Sequence, residues 1–156
     1  MNIRSVKKKD SAQVIKLIQD VVNAEFAPQE KEAYPMDDVL DLPASYQGRR
    51  DAFFVMSDGP QTIVGTCGVK NEGNGVGLIR RVFVRPSHRR EGVAERLVRH
   101  SIQFAKNQGY RVLQVRTTSA MKAAIALLYK VGFQERATLE VGRLKMLKLT
   151  YNCKED

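Results

Sequence analysis

Two adjacent arginines and a glycine stand where a strand pattern gives way to a helix pattern. The segment HRREGVA, residues 88–94, follows the apolar run VFV and precedes a helix-forming stretch. The first N–H groups of a helix have no partner within the helix and lie at the positive end of its dipole, so this place binds anions. Arg89 and Arg90 add permanently charged, fork-shaped donors. Gly92 allows a strained turn or a close ligand, and Ala94 keeps the first helical turn small. The combination suits a pyrophosphate.

The positive charge of the chain is compatible with three classes of partner. The net charge of +9 suits a polyphosphate ligand, nucleic acid or an anionic membrane surface. Two stronger phosphate motifs are excluded, because no G-x-x-x-x-G-K-[ST] occurs and GNGVG, residues 73–77, is more simply a hairpin turn. The pattern R-x-x-G-x-A alone is common by chance, so the surrounding elements have to decide.

Length and composition are those of an ordinary globular chain. The 156 residues, 43% hydrophobic and 28% charged, predict one domain over residues 1–156. No apolar run approaches the roughly 20 residues that span a bilayer, and MNIRSVKKKD has no apolar signal core, so we expect a cytoplasmic protein without membrane contact. Cys67 and Cys153 lie far apart and the two histidines have no cysteine nearby, which predicts reduced thiols and no metal site.

Hydrophobic periodicity predicts the element order β-α-α-β-β-β-α-β-α-β-β. A strand near 76–85, a helix near 92–108 and a strand near 111–117 form a β-α-β unit, whose strands should be parallel with a right-handed crossover. The earlier strands AFFVMS and TIVGTCGVK are joined by a tight turn and should be antiparallel. The fold class is α/β (α+β): a mixed, mostly antiparallel central sheet with a parallel β-α-β unit and helices on both faces.

Local signals in the first third of the chain are weaker. Asp10 and Gln13 have the spacing of a capping box for the first helix. Residues 28–35 are predicted to be irregular because prolines bracket them. A short helix is expected near 36–46, with Pro43 interrupting or ending it.

Three segments together resemble the GNAT superfamily of acyl-CoA-dependent N-acetyltransferases: VFVRPSHRREGVAERLV, LQVRTT and MKAAIALLYKVGF. The likeness covers most of the chain and is weakest over residues 24–50. The family's pyrophosphate turn, Q/R-x-x-G-x-G/A, falls on residues 89–94 without a gap. The resemblance implies that acetyl-CoA is the acetyl donor, and it implies the residues that bind it: Arg89, Arg90, Glu91, Gly92, Val93 and Ala94 at the diphosphate, and Val82, Phe83 and Val84 beside pantetheine.

The implied activity is transfer of the acetyl group to a primary amine of a small molecule, an amino acid or a protein N-terminus. In this family the acceptor lies between the first helices and the last strands, so residues 26–50 and 134–146 should line its site. Acidic and phenolic side chains there would suit an amine, although each suits a surface or capping position equally well. The candidates are Tyr34, Tyr46, Asp37, Asp38, Asp41 and Glu140.

The sequence departs from the family at both positions that usually handle protons. Many members have a tyrosine acid in the pattern L-Y-x-x-x-G-F, but the ungapped count from Gly132 places Leu128 there and Tyr129 one residue late. Either the helix end is one residue shorter and Tyr129 is the catalytic acid, or the usual acid is missing. Leu78 stands where relatives often carry a glutamate base, and Glu72 or a water molecule is the substitute. His88 is expected near the cofactor without a catalytic role.

Two other functions compete with acetyl transfer. The first is a CoA-binding module of this fold with weak or no turnover, which Leu78 and Leu128 favour. The second is a nucleic-acid binder that uses the basic helix. It is ranked last, because the segment lacks the interleaved aromatic residues of stacking surfaces and its apolar face is needed for the core. The partners expected from the resemblance are therefore CoA and an amine acceptor, without nucleic acid or membrane, and a homodimer is compatible with them.

CoA should stabilise the folded chain. A ligand that binds only the native state adds about 2.7 kcal/mol at a hundredfold excess over its dissociation constant, so a melting curve should shift upward by several degrees. Adenosine, which lacks the phosphates, should change the curve little. Equal shifts from CoA and adenosine would contradict a site centred on the diphosphate.

Overall fold

The computed structural model describes residues 1–154, and at position 141 only the backbone. These residues form one seven-stranded sheet in the order β1-β2-β3-β4-β5-β7-β6, together with six α-helices. The elements in chain order are β1 (Asn2–Ser5), α1 (Ser11–Glu25), α2 (Pro28–Ala33), α3 (Asp37–Leu40), α4 (Leu42–Ser45), β2 (Ala52–Ser57), β3 (Ile63–Gly73), β4 (Val76–Val84), α5 (Val93–Gln108), β5 (Val112–Thr118), α6 (Lys122–Val131), β6 (Gln134–Val141) and β7 (Leu144–Asn152).

The fold class predicted from the sequence is confirmed. β4 and β5 pair in parallel, with α5 as the crossover, and all other neighbouring strands pair antiparallel. Within residues 1–154, no helix is both long and apolar enough to cross a bilayer.

Three local predictions in the first third of the chain need correction. Residues 28–33 are helical and not irregular, because Pro28 occupies the first turn of α2, where its missing N–H costs nothing. The helix expected near 36–46 is present in two pieces, α3 and α4, but the break comes at Asp41, and Pro43 lies in the first turn of α4. The Asp10–Gln13 capping box is absent. Asp10 accepts hydrogen bonds from Arg4 and the Lys7 N–H. The Gln13 side chain donates to the Gln61 carbonyl oxygen and accepts from the Ile63 N–H.

The sheet separates two apolar cores, as the period-two alternation of β2 shows. Phe53 and Val55 pack on the face covered by α1, whereas Phe54 and Met56 pack on the face covered by α5 and α6. On the second face α5 lies very close to β3. A Cβ atom at Gly65 would come within 2.7 Å of the Val93 side chain, so this glycine allows the close approach that fixes the start of α5.

β4 and β5 pair over only three residues and then diverge. Val76, Gly77 and Leu78 of β4 oppose β5 residues 112–114, and no later residue of β4 pairs with β5 in the described chain. Beyond Leu78, the register between β3 and β4 shifts and Arg81 adopts a left-handed φ of 59°. This β-bulge bends β4 away from β5 and opens a wedge in the middle of the sheet.

A buried ion pair ties the short helices to the bulge. The Arg81 side chain is 3% exposed. Its Nη2 atom lies 2.5 Å from Asp38 Oδ1, and its Nε atom lies 3.1 Å from Asp38 Oδ2. Arg81 also donates to the Pro35 carbonyl oxygen, and the Tyr46 hydroxyl donates to Asp38 Oδ2 at 2.7 Å. Helices α3 and α4 are thereby held against the strand that borders the wedge.

Removing the Asp38 charge should destabilise the fold. Burial disfavours the ionised carboxyl, but hydrogen bonds from Arg81 and Tyr46 and the nearby arginine charges outweigh it and lower the pKa of Asp38. A lowered folded-state pKa means that the stabilisation is present above the unfolded-state pKa and is lost as pH falls through the folded-state value. Asp38→Asn leaves a buried arginine unpaired, so we expect a loss of about 3 kcal/mol at neutral pH.

Urea unfolding of wild type, Asp38→Asn and Asp37→Asn would measure this contribution. Asp37 is exposed, so its variant should match wild type. The difference between wild type and Asp38→Asn should begin to shrink below about pH 4, where the carboxyl of the unfolded chain becomes protonated, and should be lost as pH falls through the lower folded-state pKa. A difference that is small at neutral pH, or constant down to acid pH, would contradict the role of the ion pair.

Candidate functional site

The wedge between β4 and β5 is a cleft of about 360 Å³. β4 and β5 form its two long walls, α6 closes one side, and Phe26 with the end of α2 closes the other. Its walls are mostly apolar, with Leu78, Val115 and Leu128 among the lining residues. The polar contributions come from Arg80, Arg81, Arg116, Glu72, Tyr34 and Thr117.

The edge of β4 that faces the wedge is a strand edge without a partner strand. From Ile79 onward, the described chain gives it no ladder with β5. Val82 and Phe83 line the cleft, and Val84 stands at its end, where its carbonyl oxygen accepts a hydrogen bond from Arg89 Nε at 3.3 Å. Free N–H and C=O groups along a strand can pair with an extended ligand. The three residues predicted to lie beside pantetheine therefore form one continuous edge.

The turn that follows β4 ends in an exposed helix N-terminus. Arg90 and Gly92 both have left-handed φ values, 63° and 79°. Gly92 precedes Val93, the first residue of α5, and the first hydrogen bond of the helix runs from the Arg96 N–H to the Gly92 carbonyl oxygen. The N–H groups before Arg96 have no partner inside the helix. A Cβ atom at Gly92 would meet open space, so the residue is needed for its backbone conformation and not for room.

The side chains of this turn differ in how they are placed. Val93 is buried and anchors the helix start, Ala94 is half-buried, and Arg89, Arg90 and Glu91 are exposed. The turn therefore carries two exposed arginine side chains next to the free N–H groups of the helix start.

Arg89 is bound to a carboxylate in this structure. Its Nη1 and Nη2 atoms lie 2.6 and 2.5 Å from the two oxygens of Glu25, the last residue of α1. The hydrogen bond from Arg89 lowers the pKa of Glu25. Sequence reasoning missed this contact, because the two residues lie 64 positions apart. An anion bound at the turn has to share Arg89 with Glu25 or replace it.

Leu128, and not Tyr129, faces the cleft. The end of α6 has the hydrogen bonds of a Schellman motif: Phe133 N–H to the Leu128 carbonyl oxygen and Gly132 N–H to that of Tyr129. Leu128 is 4% exposed and lines the cleft. Tyr129 is 47% exposed and its hydroxyl lies 3.3 Å from Glu135 Oε2. The helix end is not shortened, so the alternative in which Tyr129 reaches the cleft does not match this geometry.

The structure brings one of the six acceptor candidates into the cleft, namely Tyr34. Asp38 and Tyr46 belong to the buried Arg81 network. Asp37, Asp41 and Glu140 are exposed away from the cleft. Leu78, which stands where relatives often carry a glutamate base, lines the cleft. Glu72, the candidate substitute for that base, lines it too.

The histidines and cysteines lie outside the cleft. His88 Nε2 is 2.9 Å from Asp58 Oδ2, next to the turn, and His100 packs edge-on against Phe54. Burial raises the pKa of the Cys67 thiol to about 12, so this thiol stays protonated. The described part of the chain contains no group of three His, Cys, Asp or Glu residues placed to hold a metal ion.

Sequence reasoning missed Arg80, Arg81 and Thr117 as lining residues, whereas Phe26 falls at the start of the segment expected to line the acceptor site. Arg80 and Arg81 could be counted as part of a basic run, but only the bulge turns Arg81 into the buried network. Thr117 lies at the end of β5, and no local signal marks an element end as the wall of a cleft.

Residues 18–133 match the model of the acetyltransferase (GNAT) family. The chain belongs to the GNAT acetyltransferase family. Among curated relatives, N-acetyltransferase 8 of Rattus norvegicus is 35% identical over 103 residues, 63% of this chain and 46% of the relative. Human N-acetyltransferase 8 is 31% identical over 103 residues, 63% of this chain and 45% of the relative. The chain thus spans about half the length of these relatives.

Solved structures of acetyltransferases share the whole fold. An N-acetyltransferase from Staphylococcus aureus Mu50 superposes with a TM-score of 0.84 at 22% identity, over 98% of both chains. The putative acetyltransferase yncA from Salmonella typhimurium, solved with acetyl-CoA, has a TM-score of 0.81 at 20% identity, over 99% of this chain and 95% of yncA. At such identities the likeness concerns the fold.

Releasing Arg89 from Glu25 should strengthen diphosphate binding at the turn. An exposed ion pair is worth about 0.2–1 kcal/mol, so in Glu25→Gln we expect CoA, used as the diphosphate probe, to bind up to about fivefold tighter. Asp20→Asn is the control, since Asp20 lies on the same helix and pairs with Lys16. Calorimetry at fixed ionic strength measures both. Weaker binding in Glu25→Gln would mean that Glu25 orients Arg89 for the ligand and does not compete for it.

Proposed function

We propose that this chain transfers an acetyl group from acetyl-CoA to a primary amine. The observation that carries the proposal is the continuity between the helix N-terminus at residues 89–94, the free edge of β4 and the cleft. An extended thioester with an anionic end needs those three features in that order. A second cleft of about 290 Å³, between α1 and Arg85, borders no such strand edge.

The donor fits this path by charge and by length. Its diphosphate would lie on the N–H groups at the start of α5, beside Arg89 and Arg90, with Glu91, Gly92, Val93 and Ala94 completing the turn. Its pantetheine would pair with the β4 edge at Val82, Phe83 and Val84. The four strand residues from Val84 back to Arg81 cover about 13 Å. A pantetheine chain paired along them would bring the thioester near Arg80 and Arg81, inside the cleft.

The bound donor supplies an acetyl thioester, whose carbonyl carbon the amine attacks. The chain's own contribution is to position the two reactants and to polarise that carbonyl with N–H groups of the β4 edge. Apolar residues such as Leu78, Val115 and Leu128 keep water from the thioester. The positive charges of Arg80 and Arg81 disfavour a further positive charge nearby and so lower the pKa of an amine in the cleft. They thereby help an ammonium group to lose its proton and become nucleophilic.

The acceptor would enter from the side that Phe26 and the end of α2 border. The proposed class is a primary amine, belonging to a small molecule, an amino acid or a protein N-terminus. Solved structures with the same fold include a ribosomal-protein-alanine N-acetyltransferase from Brucella melitensis and a putative phosphinothricin N-acetyltransferase. Because one fold serves such different acceptors, the acceptor has to be found by assay.

The second candidate function is a CoA-binding module with weak or no turnover. Leu128 and Leu78 favour it, since apolar side chains occupy both positions at which relatives often handle protons. The two candidates share the donor site and differ only in whether a screened amine becomes acetylated.

An acceptor screen with acetyl-CoA and thiol detection separates the two functions. Wild type should release CoA in the presence of at least one class of primary amine. Gly92→Glu should abolish both binding and turnover, because it places a negative charge where the diphosphate lies. Gly92→Asn is the matched control, since asparagine tolerates the left-handed conformation without adding charge.

Calorimetry on the same variants tests the site without turnover. Gly92→Asn should retain CoA affinity within a few-fold, and Gly92→Glu should show none. Undiminished CoA affinity in Gly92→Glu would overturn the proposed donor site. CoA binding in wild type without acetylation of any amine would favour the binding module.

A further inference from the structure

The cleft contains one neutral O–H group that can release a proton to a leaving sulfur. Its titratable residues in the described chain are Tyr34, Glu72, Arg80, Arg81 and Arg116. Arginine does not release its proton in proteins, and Glu72 is an exposed carboxyl that suits proton acceptance. The position of the family's acid is occupied by Leu128. Tyr34 is therefore the phenol that the cleft offers.

Tyr34 bridges the two sides of the cleft from the end of α2 to the end of β5. Its ring packs edge-on against Phe26, with 5.7 Å between ring centres. Its hydroxyl interacts with the Thr117 side chain and the Thr118 backbone, and its charge state is coupled to Arg81. Arg81 and Thr117 are on opposite walls of the wedge. The phenol therefore lies where the free edge of β4 leads.

The surroundings of this hydroxyl keep it protonated at rest and can stabilise its anion. Burial, the largest influence, and the Glu30 carboxylate raise the pKa of Tyr34. Thr117, Thr118 and Arg81 act in the opposite direction. An interaction that lowers a phenol pKa favours the anion, so Thr117, Thr118 and Arg81 can stabilise a tyrosinate at this position.

Glu30 fixes the helix that carries Tyr34. Its Oε1 atom accepts a hydrogen bond from the Ala27 N–H at 3.1 Å, at the start of α2. Its Oε2 atom lies 3.4 Å from the Thr118 hydroxyl at the end of β5. The carboxylate thus holds α2 against β5 and sets the position of the phenol.

We propose that Tyr34 is the catalytic acid that protonates the departing sulfur. This proposal rests on the proposed function. The amine nitrogen forms a bond to the acetyl carbon, the carbon–sulfur bond breaks, and the sulfur takes the bonding electron pair and the Tyr34 proton. The proton that the amine loses returns through water to the tyrosinate, so the products are an amide, a CoA thiol and the original phenol. Thr117, Thr118 and Arg81 stabilise the tyrosinate in between.

The ionisation of bound CoA tests the contact without any turnover. A phenol that touches the sulfur donates a hydrogen bond to the thiolate, which favours ionisation. In Tyr34→Phe the pKa of the bound thiol, followed by thiolate absorbance, should rise by about one unit or more, since a hydrogen bond to a charged acceptor is lost. Tyr129→Phe is the matched control and should behave as wild type. Calorimetry should give the same CoA affinity for all three proteins.

Kinetics provides the second measurement. With an acceptor from the screen, Tyr34→Phe should lower kcat by about 10²–10⁴-fold, with the KM of both substrates changed only a few-fold. Tyr129→Phe should stay within a few-fold of wild type. The phenylalanine keeps the ring contact with Phe26 but loses the hydroxyl that Thr117 and Thr118 contact, so the melting temperature should fall by no more than a few degrees.

The pKa of the bound thiol and the kcat of Tyr34→Phe together test the role of Tyr34. An unchanged thiol pKa in Tyr34→Phe overturns the proposal, and so does a loss of kcat without a shift in that pKa, which indicates a structural role. If wild type binds no CoA, the proposed function itself fails. If wild type binds CoA but acetylates no screened amine, the thiol pKa still shows whether Tyr34 contacts the sulfur.

Discussion

The wedge in the sheet depends on one residue in an unfavourable backbone conformation. Arg81 has a left-handed φ in the middle of a strand, which costs a non-glycine residue about 1–2 kcal/mol. The surrounding structure compensates: Thr66 Oγ1 donates to the Arg81 carbonyl oxygen at 2.7 Å, and Asp38 receives the guanidinium. The bulge then separates β4 from β5. Without it, a parallel ladder could continue along β5 and use the N–H groups of β4 that are proposed to bind the donor.

The same residue couples the fold to the chemistry. Its guanidinium holds α3 through Asp38, so the strand that borders the proposed donor path also positions the helices beside the proposed acceptor entrance. Its charge also acts on Tyr34. A buried ion pair contributes little net stability compared with apolar packing. The Arg81–Asp38 ion pair instead fixes the arrangement of helices α2 to α4 relative to the cleft.

The sequence predicts the parts of the site that depend on local signals. The strand, turn and helix around residues 76–108 are marked by periodicity and by Gly92, and the ungapped count at the end of α6 gives the observed placement of Leu128. Helix α2 and the division between α3 and α4 escape prediction, because each piece is too short to show a period and is held by tertiary contacts such as Asp38 with Arg81. The left-handed Arg81 and Arg90 have no signal in residue type, since such conformations usually fall on glycine or asparagine.

An apolar Leu128 where relatives often carry the acid is compatible with catalysis from the opposite wall. A leucine there lowers the local polarity, and a charge developing on sulfur is then poorly solvated. In such surroundings a hydrogen bond from a nearby phenol is stronger than it would be in water. Low polarity in the cleft therefore raises both the free energy of a thiolate and the strength of a hydrogen bond donated to it. If Tyr34 is the acid, as proposed, proton transfer depends on the position of α2, which borders the proposed acceptor entrance and which Glu30 holds against β5.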